Sequence, residues 1–199
     1  MPDDGGVLNG YSSGEYYCEM FGRRGLSHTR LIRNHLGGLD IKGLRRRSRD
    51  AERELFNLGI TFTVYSDKEA IDRILPFDVI PRVLSARDWK IIDKGVKQRV
   101  AALNAFLWDI YHKEHVLKDG IPEELVKGNA NYRPEMCGVD VPKKTYVHVC
   151  GTDIVRDQAG KFRVLEDNAR TPSGVSYVVE NRHLMMRAFP DLASGVSIA

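Results

Sequence analysis

The chain has 199 residues, enough for one sizeable core or for a domain with an appended lobe. Its 42% hydrophobic and 29% charged residues are the balance of an ordinary globular protein, and a net charge of +3 is too small a basic excess to imply nucleic acid or a membrane. The opening Met1 to Gly6 lacks the basic-then-apolar run of a signal peptide, and no apolar run approaches the ~18 residues of a membrane span. Cys18, Cys137 and Cys150 have no metal-ligand spacing, so the expectation is a cytoplasmic protein with reduced thiols.

Residues 1–20 are rich in Gly, Ser and Asp and read as a weakly ordered segment ahead of the folded part over 21–199. A short helix is expected over 29–35, ended by Gly37-Gly38. Leu44, Ala51, Leu55 and Leu58 recur at helical spacing over 41–58, with Gly59 as the stop. Ile60 to Tyr65 is β-branched and aromatic, a strand, followed by a turn containing Asp67. Ile74 to Val83, with Pro76 and Pro81, reads as a second extended stretch. Ser85 with Asp88 resembles a capping box and opens the longest periodic segment, whose apolar stripe from Ile91 to Tyr111 predicts a helix to His112. Short helices are expected over 114–127 and irregular chain over 129–142. Tyr146 to Arg156 and Lys161 to Asn168 read as strands joined by a turn at Asp157 to Gly160, and a helix follows from Val175 to Arg187. Mixed strands and helices without a βαβ rhythm point to the α+β class.

The chemistry concentrates in that second hairpin. With Ala159-Gly160 at its tip and Gln158 facing Lys161, Asp153 falls directly opposite Glu166, their Cβ atoms ~4.5–5.5 Å apart. Asn168, two residues past Glu166, emerges on the same face. Opposed carboxylates destabilise a sheet unless a cation lies between them, and oxygen-only ligands suit Mg²⁺. A one-residue slip would send Asp153 to the other face. The plainer reading is an acidic strand end bathed in solvent.

The string Val164-Leu165-Glu166-Asp167-Asn168-Ala169-Arg170-Thr171-Pro172-Ser173-Gly174 resembles the metal-binding strand of ATP-grasp ligases. The chain is similar, more specifically, to the circularly permuted ATP-grasp type 2 family. The likeness is carried by Pro76 to Arg82, Gln98-Arg99 through Tyr111, Gly151-Thr152-Asp153, and Glu166 through Tyr177 to Glu180-Asn181-Arg182. It departs at Cys18, where a Tyr-Asp-Glu-Met-like string would carry Asp. The resemblance implies a partial ATP-grasp-like α+β fold, with a long helix and an antiparallel hairpin carrying the metal site. It also implies ATP and Mg²⁺ as cofactors, with a carboxylate activated as acyl phosphate and captured by an amine. Asp153, Glu166 and Asn168 would hold the metal, and Arg170 would neutralise the transferring phosphoryl group. Ser173 and Gly174, at a helix N-terminus, would hold an anion. Ser173 is equally well a plain N-cap, and Arg170 a solvated loop residue. Arg82 and Arg99 fit the family pattern without an assigned role. Glu180 and Arg182 read as helix-surface residues and His148 as a half-buried strand side chain.

The run Arg45-Arg46-Arg47, with Arg49 and Arg53, is interleaved with Asp50, Glu52 and Glu54, as on a solvated helix face rather than a nucleic-acid patch. No Gly-rich loop or lysine set for a nucleotide is visible. The expectation is therefore that 21–199 is the N-terminal portion of a circularly permuted ATP-grasp domain, a half-site that turns over no ATP by itself: a truncated product, a fragment, or one half of a split enzyme with a complementary C-terminal half. A non-catalytic interaction remnant is the competing reading. A metal-dependent hydrolase is less supported, since no nucleophile–base pair or His-rich metal motif appears.

Overall fold

The computed structural model describes residues 7–21, 29–65, 70–74 and 77–190, and of 62–65 and 70–74 the backbone alone. The turn at Asp67 and Pro76 lie outside the described residues. Two compact units emerge, one of Met1–Ser85, Arg156–Lys161 and Gly174–Ala199, the other of Ala86–Val155 and Phe162–Ser173. Helices and two small two-stranded sheets make the class α+β.

The first unit holds helices α1 (Arg30–Gly37) and α2 (Ile41–Asn57), the hairpin β1 (Thr61–Tyr65) and β2 (Ala70–Ile74), and a helix after the second hairpin, Gly174–Ala188. Helix α2 starts where the Asp40 carboxylate accepts the Gly43 N–H at 2.6 Å. It stops at Gly59, φ +68°, where Gly59 N–H reaches Phe56 O and Ile60 N–H reaches Leu55 O, a Schellman closure. Its Ala51 and Leu55 pack with Ile32 and Leu36 of α1, with Phe77 and Val79, and with Leu184 and Phe189. Leu36, Leu55 and Phe189 have no exposed surface, and burial of each contributes about 1.5–3 kcal/mol. Of the arginine run, Arg45, Arg46, Arg49 and Arg53 are exposed, as on a solvated helix face, and Arg47 serves this packing. Arg47 donates to the Ala188 carbonyl at the end of the last helix, with its guanidinium 4.9 Å from the Phe189 ring centre, and Glu54 pairs with Arg187 at 2.7 Å. The second strand differs from expectation. It is Ala70–Ile74, antiparallel to β1 with Thr61 opposite Ile74, and the chain from Phe77 to Ser85 is irregular.

The second unit is built on α3 (Ala86–His112), followed by α4 (His115–Asp119), α5 (Glu123–Lys127), two 3₁₀ turns, and strands β3 (Gly151–Arg156) and β4 (Phe162–Asn168). The helix following β4 is α6 (Gly174–Ala188), of the first unit. Tyr111, buried near the end of α3, stacks on Tyr132 and Tyr146 at 5.3 and 5.9 Å between ring centres. Strand β3 begins five residues later than the β-rich run at Tyr146 implies. The reason is Asn104 of α3, whose amide oxygen accepts the N–H groups of Tyr146 and Val147 at 2.7 and 2.9 Å. Backbone donors held by a helix side chain are withdrawn from a sheet ladder. His148 lies in this irregular stretch and is exposed rather than half-buried. Among the described residues, no helix is long and apolar enough to cross a membrane.

Candidate functional site

Strand β4 presents two chemically different faces. On one, Asp167 is only 9% exposed; its carboxylate accepts the Thr152 hydroxyl at 2.9 Å and pairs with Arg99 of α3. Cys150 Sγ lies 4.0 Å from the same carboxylate. On the other, Glu166 and Asn168 are exposed, and the Asn168 amide N–H₂ donates to Glu166 Oε1 at 3.1 Å. That orientation turns the Asn168 carboxamide oxygen away from the Glu166 oxygen and makes it an available ligand atom.

The cross-strand pairing at this end follows from two contacts. Thr152 meets Asp167, and a Cβ built on Gly151 would stand 3.7 Å from the Asn168 Cβ. Side chains alternate along a strand, so Asp153 shares the Gly151 side, the face of Glu166 and Asn168. At the tip the pairing differs from expectation. Asp157, rather than Gln158, faces Lys161, donating its N–H to the Lys161 carbonyl, and Gly160 with φ +79° closes the turn.

Gly151 has a steric role. A Cβ there would meet the Pro172 Cβ at 2.9 Å, so only glycine lets the segment after β4 lie against β3. Arg170 is exposed, Ser173 is exposed just ahead of α6, and Gly174 is the first residue of that helix. Glu180 and His183 approach within 3.7 Å on the α6 surface. No group of three or more His, Cys, Asp or Glu side chains stands ready to hold a metal among the described residues. Any cation on the β4 face would rest on the two carboxylates of Asp153 and Glu166 and the amide oxygen of Asn168, with water or phosphate completing its shell, an arrangement usual for Mg²⁺.

Two ion-pair systems escaped sequence reasoning. One is Arg99 with Asp167, 68 residues apart. The other belongs to the first unit. Glu19 grips Arg82 in a fork, at 2.6 Å to Nε and 2.9 Å to Nη2, and its Oε1 lies 3.5 Å from Arg156 Nη1. Hydrogen bonding to Glu19 raises the Arg82 pKa above its ordinary value. The Arg156 guanidinium lies 4.2 Å from the centre of the Tyr17 ring and donates to the Gly160 carbonyl. The Tyr-x-Glu-Met string around Glu19 was the only hint in the sequence.

Residues 81–199 match the family model described as a circularly permuted ATP-grasp. An uncharacterized protein of Synechocystis sp. is 42% identical over 194 residues, covering 96% of this chain and 40% of its own length. An uncharacterized Mycobacterium tuberculosis protein is 39% identical over 193 residues, covering 94% of this chain and 34% of its own. A Frankia alni protein bearing a provisional glutamate–cysteine ligase name is 40% identical over 144 residues, 71% of this chain and 16% of its own. The chain thus spans two fifths or less of the length of these curated relatives.

Proposed function

Because the chain belongs to the circularly permuted ATP-grasp family, we propose that it carries the metal-binding half of an ATP- and Mg²⁺-dependent carboxylate–amine ligase. The provisional ligase name of the Frankia relative favours this reaction class. Asp153, Glu166 and Asn168 would bind Mg²⁺ through oxygen, and the metal would offset charge on the phosphates of ATP. Arg170 would pair with the transferring phosphoryl group. Ser173 and Gly174, where α6 begins, would hold a phosphate or substrate carboxylate at the positive end of the helix dipole. The activated species would be an acyl phosphate that an amine attacks. A complementary portion, as in the longer relatives, would supply the groups that hold the nucleotide.

The observation that best supports this reading is the division of labour on β4. Asp167 is committed to Arg99 and Thr152, whereas its neighbours Glu166 and Asn168 stand exposed and oriented together. The test is calorimetric titration of Mg²⁺ with ATP into the chain combined with the remaining portion of the Synechocystis relative. Wild type should bind, and Glu166→Ala and Asn168→Ala should each weaken binding at least about tenfold, the loss of one charged or polar ligand. Equal binding by all three proteins would favour a non-catalytic interaction remnant.

A further inference from the structure

Beside the Glu19–Arg82 fork the first unit has a cavity of about 460 Å³, within the range of small-molecule sites. Its lining is apolar and aromatic at Leu8, Tyr11, Pro81 and Val83 and charged at Glu19, Asp78 and Arg82. We infer that this cavity binds a free amino acid, with the ligand carboxylate on Arg82, its ammonium on Asp78 and its side chain against the apolar lining. As a binding site the cavity stands on the first unit alone; as the seat of a ligase co-substrate it rests on the proposed function.

The chemistry follows from which atoms are already engaged. Glu19 takes the Nε edge of Arg82 with both oxygens, using two of the five guanidinium N–H groups. The side chain is nonetheless 57% exposed, so its outer edge faces the opening with fork geometry suited to a carboxylate. Glu19, itself only 12% exposed and also near Arg156, acts as the positioning residue that fixes this fork. Asp78 is held in place by one oxygen, which accepts the Ile80 N–H at 2.9 Å, and its second oxygen is available to an ammonium. With Glu19 shared between Arg82 and Arg156 and Asp78 beside them, two anions balance two cations, a set that suits a zwitterion better than a simple anion. A simple anion would meet the Asp78 charge, and a simple amine would meet Arg82.

The test is titration of the 199-residue chain, without ATP or metal, with each of the twenty common amino acids, with 4-methylpentanoate and with isoamylamine. Apolar amino acids such as leucine should bind, and 4-methylpentanoate and isoamylamine, each leucine without one of its charged groups, should bind at least about tenfold more weakly. Asp78→Asn keeps the oxygen that accepts from Ile80 and removes the charge, so it should retain the fold, by circular dichroism, and weaken leucine at least about tenfold. Arg82→Gln should have the same effect. Absence of binding by every amino acid up to about 10 mM would overturn the proposal, as would leucine binding unchanged in Asp78→Asn or matched by 4-methylpentanoate. Because no metal or nucleotide is present, failure here leaves the ligase reading standing, and failure of that reading leaves this site standing.

Discussion

Glu166 and Asp167 are neighbours in sequence and identical in charge, yet the two faces of β4 give them opposite fates. Asp167 is turned inward and spent on architecture, tied to Arg99 of α3 and to Thr152. Glu166 is turned outward and exposed, with the Asn168 amide hydrogen-bonded to its carboxylate. An acid-acid-amide run therefore does not present three side chains to one face. The strand period of two selects the first and third for the open face and makes the middle one the anchor that holds that face still.

The largest effect expected is on the inner face. Asp167→Ala strands a half-exposed Arg99 and removes the acceptor of Thr152, and should cost about 2–3 kcal/mol in urea unfolding, below the cost of breaking a fully buried pair because Arg99 is 48% exposed. Asn104→Ala removes the second tie between α3 and the chain leading into β3, and should cost about 1–3 kcal/mol by the same measurement. Gly151→Ala must push Pro172 away, with a cost of about 1–2 kcal/mol and a change in the NMR signals of 168–173. Glu166→Ala should move stability by less than about 0.5 kcal/mol, since its carboxylate loses no structural partner but Asn168. A large loss in Glu166→Ala would erase the contrast between the faces; equal losses in Asp167→Ala and Asn104→Ala would sharpen it into a single latch.

Much of the frame was legible because local chemistry and final environment agree. Leu55 and Ala51 mark the buried side of α2, Gly59 its end, and the apolar stripe through Ile110 and Tyr111 marks α3. The β-branched run at Tyr146 to Cys150 misled because Asn104, more than forty residues earlier, claims its backbone donors. The pairing of Arg99 with Asp167 and of Glu19 with Arg82 is equally long-range, and nothing in local spacing announces it. The tip of the second hairpin was displaced for a smaller reason. The Asp157 carboxylate accepts the Lys161 N–H at 2.8 Å and Gly160 adopts a positive φ, which closes the turn one residue earlier than alternation suggests.

Mn²⁺ added with ATP and followed by NMR tests the division of β4 most directly, because paramagnetic broadening reports even weak occupancy. The amide signals of 151–153 and 166–168 should broaden in wild type and in Asp167→Asn at a temperature where it stays folded, and should stay sharp in Glu166→Gln. Sharp signals in wild type, or broadening that persists in Glu166→Gln and vanishes in Asp167→Asn, would contradict the assignment of the outer face as the metal site.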